Sequence, residues 1–365
     1  MLTNILNHGN IYIMGGVIVK EIEPIYRENM GQKIKDIKKE HPNAKFYSYS
    51  RLDNFNTCKR QYYYTYIDKK PQRDNVYSIL GTVAHESLED LYNGKVDKLN
   101  NKRFEEEFTK CQLFNISFPA SKYDIAGGYK ADMEAFYKVY EMEDKKDKEF
   151  YSELGFILKV DDNHYLSGFI DMLILDKNTG EATVIDFKTS SAFKPADLRK
   201  KGHQLVLYKK AIEELYGIKV TKTLWRMLKY VTVQVGDYKA KVNIRGREWV
   251  SKISTQLQNL MKKQGYDELE TTLAVAKAVK SNSIDGLPED IKSKIKVEIY
   301  DQTYDVTPEV ENELMEYINT TINDIEAMGG DIEEWSPKVD NFYCSWLCGF
   351  GGCDGICQEC NKGDE

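Results

Sequence analysis

Two apolar runs, YLSGFIDMLIL at residues 165–175 and EATVIDFKT at 181–189, are joined by Asp176-Lys177-Asn178-Thr179-Gly180, and each run carries one internal aspartate. The joint is turn chemistry and the runs are strand-like, so a β-hairpin is expected. With residues 177–180 as an unbulged four-residue loop, paired residues have numbers that sum to 357, which sets Asp171 opposite Asp186. Directly opposed residues hold their β-carbons about 4.5–5.5 Å apart. Two carboxylates at that spacing repel unless a cation lies between them, and an unpaired acid in apolar sequence is costly. Lys188 is two residues past Asp186 and shares its face, while Phe187 points to the core. Hard oxygen ligands of this kind suit Mg2+ or Mn2+. An isolated Asp-x-Lys is more often a plain ion pair, so the neighbourhood must decide.

Around the hairpin, the spacing of Leu52, Phe55, Cys58 and Tyr62 predicts one helix from about residue 48 to 68, capped by Ser48 or Ser50. A second helix over 79–92 carries His85 and Glu89 one turn apart, and a third over 195–216 stops at Gly217. Residues 97–148 read as a polar helical covering layer. Residues 221–242 read as two strands turning near Gly236-Asp237, and the chain after Arg245 reads as helical and charged to about residue 329. Residues 1–45 are charged and irregular, with a helical stretch near 28–39 and an apolar, strand-like segment at 11–19.

The net charge of −7 argues against a protein that coats nucleic acid by bulk electrostatics. Charge is uneven, however: residues 188–210 hold seven Lys/Arg against one Asp, a local surplus of about +6. No apolar run reaches the roughly 20 residues of a membrane span, and 11–19 lacks the marks of a signal peptide, so a cytoplasmic location is expected. No phosphate-binding GxxxxGK[ST] loop and no DNA recognition helix or finger motif is present. Five of the seven cysteines crowd into CSWLCGFGGCDGICQEC at 344–360, with Cys58 and Cys111 apart. Such density points to a bound metal or cluster, and both zinc and [4Fe–4S] accept four thiolates. Cys111 reads as a structural thiol.

The string GFIDMLIL…VIDFKTS resembles the core of the PD-(D/E)XK nuclease superfamily. More narrowly it is similar to the branch holding RecB and AddB nuclease domains and the CRISPR-associated iron–sulfur exonucleases. GTVAHESLE supplies that branch's upstream histidine at His85, and HQLVLYKKA supplies its Q-x3-Y at Gln204 and Tyr208. Ile170 stands where the literal motif has proline. The resemblance implies an α/β (α+β) fold of restriction-endonuclease type: a central mixed β-sheet flanked by helices, with added helical regions and a Cys-rich C-terminal staple. It implies a nuclease core over 48–245 with a helical insertion at 97–148. This core follows an N-terminal extension at 1–47 and precedes a helical region at 246–340 and a cluster-binding segment at 341–365.

The same resemblance implies His85, Asp171, Asp186 and the Phe187 main-chain carbonyl as metal ligands, with Lys188, Gln204 and Tyr208 completing the catalytic group and Glu153 as an accessory acid. It implies a [4Fe–4S] cluster, with Zn2+ as the alternative, on Cys58, Cys344, Cys348 and Cys353, where Cys357 can replace Cys353. Lys194, Arg199, Lys200 and Lys201 precede the Gln204 helix and suit backbone phosphates, with a solvated helix face as the plain alternative. His203 is expected at the surface. Of Tyr62, Tyr63, Tyr64 and Tyr66, at least two are expected in the core and the others are candidates to stack on bases. The activity implied is a Mg2+- or Mn2+-dependent DNA exonuclease acting on ends or single strands, beside a helicase or recombination partner, in a bacterial or phage-infected cell. A structure-selective endonuclease and a catalytically idle DNA-binding subunit are the alternatives.

Overall fold

The computed structural model describes residues 11–14, 17–20 and 22–350, so Cys353, Cys357 and the rest of the C-terminal segment lie outside the described residues. Its centre is a seven-stranded mixed sheet. The N-terminal strands β1 (Ile11–Met14) and β2 (Val17–Lys20) form a separate antiparallel pair, where one strand-like segment was expected. Helix α1 (Arg27–Glu40) follows and packs Met30 and Ile37 against Ile157 and Tyr165. A short strand β3 (Lys45–Tyr47) then leads to α2 (Tyr49–Thr57).

The Ser48 side chain accepts from the Arg51 amide at 3.1 Å, a cap worth about 1 kcal/mol. The single helix expected over 48–68 is broken. Cys58 is extended (φ −159°, ψ 111°) and separates α2 from α3 (Lys59–Tyr62), which runs into a π-helical turn at Tyr63–Ile67. The periodicity spans the break because Leu52, Phe55, Cys58 and Tyr62 all face the interior on both sides of it. Tyr62 and Tyr64 are buried, and Tyr63 and Tyr66 are half-buried.

One face of the sheet carries α4 (Val76–Tyr92), α5 (Lys102–Leu113) and α6 (Ile125–Val139). These helices are more than a polar cover. Phe104, Phe108, Met133 and Phe136 join Leu80, Ala84 and Leu88 in a core laid on Met172, Ile174, Ile185 and Phe187. Cys111 belongs to the same core. The strands beneath are β4 (Lys148–Lys159), β5 (His164–Asp176) and β6 (Ala182–Lys188). The β5–β6 ladder pairs Leu175 with Ala182 through Met172 with Ile185, the register summing to 357.

Helix α7 (Pro195–Tyr216) ends at Gly217, whose φ of +69° is the left-handed conformation that glycine adopts without strain. It crosses to β7 (Val220–Val235), which lies parallel to β6, as a parallel pair requires. Strand β8 (Lys241–Arg245) pairs with the far half of β7. Helices α8 (Trp249–Lys263), α9 (Glu268–Ser281) and α10 (Glu289–Lys292) follow.

The region read as wholly helical then contributes a strand, β9 (Ile295–Thr303), paired antiparallel with β7 over nearly its whole length. Its sequence IKVEIYDQT alternates apolar and charged residues, so the pattern is that of a half-exposed edge strand. Helices α11 (Pro308–Ala327) and α12 (Asn341–Trp346) are the last among the described residues. On the second sheet face, α2, α7 and α11 enclose Leu173, Leu175 and Val184 with Leu205, Ile212, Leu314 and Ile318. Among the described residues, no helix is long and apolar enough to cross a membrane.

Where α11 meets the start of β5, His164 hydrogen-bonds Asp161 at 2.8 Å and Glu326 at 3.0 Å. Burial lowers the imidazole pKa, but the two carboxylates outweigh it and hold the net value above the ordinary 6.5. A raised folded-state pKa stabilises fully below the unfolded value and loses that contribution as pH rises through the folded value. His164→Gln is therefore expected to lower the melting temperature at pH about 5.5 and to have little effect at pH about 9, as read by thermal melts at both. Equal losses at the two pH values would reject a charged His164 clasp.

Candidate active site

The end of the β5–β6 hairpin sets the site. Register places Asp171 opposite Asp186, one step past the last ladder pair, and the Asp171 side chain takes over there by accepting from the Phe187 amide at 2.7 Å. On the other edge of β5, Ser152 pairs with Met172 and Leu154 with Ile170, which puts Glu153 opposite Asp171. Glu153 has φ +49°, a left-handed conformation that costs a non-glycine residue stability and interrupts the ladder at this level. Three acids thus form a row across β4, β5 and β6.

Helix α4 brings His85 to the row. Its Nδ1 lies 3.6 Å from Asp171 Oδ2, and its ring meets the Phe187 carbonyl. His85, Glu153 and Asp171 each offer a ligand atom within 4.8 Å of the others, a set able to hold a metal ion. Asp186 is 1% exposed and turns instead to Lys188, whose Nζ is 2.5 Å from its Oδ2. The accessory acid is therefore in the gathered trio, while Asp186 sits behind it with the lysine.

From α7, Gln204 accepts from Lys188 at 3.3 Å and donates to the Tyr208 hydroxyl at 2.7 Å. The chain Tyr208–Gln204–Lys188–Asp186 fixes the ammonium. Burial pushes the Asp171 carboxyl up to about 7, and the Asp186 carboxylate pushes the same way. Burial also raises Glu153, with Asp171 adding to it, and lowers His85. Burial works against charge on Lys188, but Asp186 and Asp171 outweigh it and keep its pKa above the ordinary value. Glu153 made harder to ionise by Asp171, and Asp171 by Asp186, is the electrostatic signature of a cation site.

His85, Glu153, Asp171, Gln204 and Tyr208 line an open cleft of about 880 Å3. Arg27 and Met30 line it too, so part of the N-terminal extension belongs to its wall. Arg27 was not foreseen: it bonds Glu153 at 2.7 Å and stacks over Phe169 at 4.9 Å. No local pattern joins a helix start at 27 to a strand at 153.

The basic residues ahead of the α7 motif are exposed, but two are engaged. Arg199 pairs with Glu313, and Lys200 lies 3.6 Å from Asp53, while Lys194 and Lys201 face solvent. His203, expected at the surface, is buried against Tyr317 because α11 lies along that side of α7.

The chain's late residues return to Cys58. The Lys338 amide donates to Cys58 Sγ at 3.5 Å, and burial raises the Tyr343 phenol, with Cys348 and Cys58 adding smaller contributions in the same direction. Cys58 and Cys344 are buried. The Arg73 amide donates to the Gly349 carbonyl at 2.9 Å, and Tyr64 packs on Phe350 at 5.2 Å.

The family described as the PD-(D/E)XK nuclease superfamily matches the chain over residues 47–346. No curated protein matches it.

Proposed function

The chain belongs to the PD-(D/E)XK nuclease superfamily, and from that premise we propose that it is a divalent-metal-dependent DNA exonuclease working on ends or single strands. The observation that carries this is the row Glu153–Asp171–Asp186 with His85 and Lys188 at the cleft. The donor set fits Mg2+ or Mn2+: hard carboxylate oxygens, one imidazole, and like charges that need a cation. His85, Asp171 and Glu153 would hold the ion, with Asp186 and the Phe187 carbonyl adjoining. When bound, it supplies a Lewis acid and an activated water.

The protein's own groups do the rest. Lys188, fixed by Gln204, Tyr208 and Asp186, presents an ammonium where negative charge grows on the phosphoryl oxygens. Arg27 orients Glu153 from the opposite wall. Exposed Lys194 and Lys201 stand at the start of α7 to meet backbone phosphates. A role in recombination, repair or phage DNA processing, alongside a helicase or recombination partner, agrees with a chain that has no phosphate-binding loop of its own.

A time course on end-labelled single- and double-stranded DNA, linear and closed circular, with Mg2+ or Mn2+, tests this. Metal-dependent shortening of linear DNA with circles left intact is expected. Cutting of closed circles would replace the exonuclease reading with a structure-selective endonuclease.

We also propose that Cys58, Cys344 and Cys348, with Cys353 or Cys357, hold a [4Fe–4S] cluster. The amide aimed at Cys58 Sγ and the burial of Cys58 and Cys344 support a thiolate site. A brown anaerobic preparation with four iron atoms per chain is the expected result. A colourless one with stoichiometric zinc would reassign the site.

A further inference from the structure

Past the catalytic lysine, β6 runs into Thr189-Ser190-Ser191, and a second polar cluster lies beside that segment. Its centre is Asp132 of α6, whose side chain is 0% exposed. Arg245, the last residue of β8, reaches it at 3.1 Å, and Arg247 approaches at 3.7 Å and donates its backbone amide at 3.0 Å. Lys229, only 6% exposed, stands over the Tyr129 ring at 4.7 Å. The charges acting on Lys229 are Arg245 and Arg247, which repel it, and Asp132, which offsets them. One carboxylate therefore faces three cations, a surplus of +2 in a half-buried setting.

Such a surplus is unfavourable for the protein alone. Arg226 shows the contrast, since one guanidinium there meets two carboxylates, Glu143 and Asp301. Lys229 has lost hydration, and burial with the repulsion of Arg245 and Arg247 brings its pKa down to about 8. The cluster is also built with room for its charge. A β-carbon on Gly128 would lie 2.1 Å from Arg247 Nη1, so any larger residue there would push the guanidinium aside from its present place.

Position ties the cluster to the active site. Arg245 Nη2 donates to Ser191 Oγ at 3.3 Å, and Ser191 follows Lys188 by three residues, at most about 11 Å of chain. Tyr129 beneath Lys229 packs at 5.9 Å on Tyr77, which lines the catalytic cleft. Phosphates on one strand of a duplex advance about 3.4 Å along the axis, so the chain span of about 11 Å plus the reach of the side chains corresponds to a few nucleotides.

We infer that Lys229, Arg245 and Arg247 form a phosphate-binding subsite that holds the nucleic-acid strand within a few nucleotides of the bond being cut. This rests on the nuclease reading for the identity of its ligand. Two oxygens of a backbone phosphate would meet the exposed guanidinium edges, and its single negative charge would offset half of the surplus that Asp132 leaves.

The test is binding of a short fluorescent oligonucleotide to the full chain, with Ca2+ in place of Mg2+, followed by anisotropy across a NaCl series. Lys229→Met and Arg247→Gln should each weaken binding about fivefold and lower the slope of log K against log salt by about 0.7 on a single strand. Lys280→Gln, at the exposed end of α9, should leave the slope unchanged. Melting curves confirm folding, and should one variant fail to fold the other reads the same slope. Both variants folded, with affinity and slope matching Lys280→Gln, would overturn the subsite. Oligonucleotides with and without a 5′-phosphate separate a strand-end site from a backbone site, either of which supports it. Because binding is read without turnover, a protein that binds with these slopes but cuts nothing in Mg2+ overturns the nuclease reading alone.

Discussion

Asp186→Asn is expected to slow metal-dependent DNA cleavage by about a thousandfold or more, near 4 kcal/mol of barrier at 1.36 kcal/mol per decade. The same change should leave the metal-free protein at least as stable as the parent. Asp186 is 1% exposed, faces Asp171 across the hairpin and is neutralised by Lys188 alone. An amide of the same shape keeps the packing and removes one of two opposed like charges, while Asp171 remains as counter-charge for Lys188, so folding keeps or gains what catalysis loses. Rates on end-labelled DNA in Mg2+, paired with melting in EDTA, measure both halves. Cleavage within tenfold of the parent would remove Asp186 from the mechanism. A large drop in melting temperature would show that the site is not strained by its acids.

Arg226→Leu is expected to destabilise the fold by about 3–5 kcal/mol. Arg226 forks onto Asp301 of β9 at 2.8 and 2.9 Å, and its other nitrogen meets Glu143 at 2.6 Å. Glu143 also accepts from Tyr92 at 2.6 Å, so the guanidinium joins β7, β9 and the segment after α6 in one network. Removing it strands two carboxylates that are only 26% and 23% exposed. Arg226→Lys, which keeps the charge but loses the planar fork, should fall between. Urea titrations of the three proteins check the order. A leucine variant as stable as the parent would mean that β9 is held by its ladder alone.

What could be read in the sequence was local. The loop at 177–180 and two apolar runs determine a register, and a register determines which side chains face each other, so the sequence alone sets Asp171 opposite Asp186. Pro195 and Gly217 mark the ends of α7 in the same way. The losses have physical causes. β9 was missed because an edge strand buries one face only, and its charged alternate residues look like an exposed helix. The break at Cys58 was invisible because both halves keep their apolar residues inward. The stretch 97–148 reads as polar because Phe104 and Phe108 find their partners across other elements, in α4, α6 and Phe118. Arg27 with Glu153, and Asp132 with Arg245, are pairs separated by more than a hundred residues, which no spacing rule reaches.

The late return of the chain to Cys58 bears on when the protein is finished during synthesis. Arg60 donates to the Trp335 carbonyl, and Trp335 stacks on Tyr62 at 5.6 Å, across 275 residues for the first contact. At about 5–20 residues per second, a ribosome needs roughly 15–55 s to supply that partner after Arg60 has been made. Through that interval the hairpin bearing Asp171 and Asp186 can already have formed, while the Tyr62 helix still lacks its cover. A nascent chain would thus carry its paired acids early, while the Arg60–Tyr62 turn stays uncovered until Trp335 has been made.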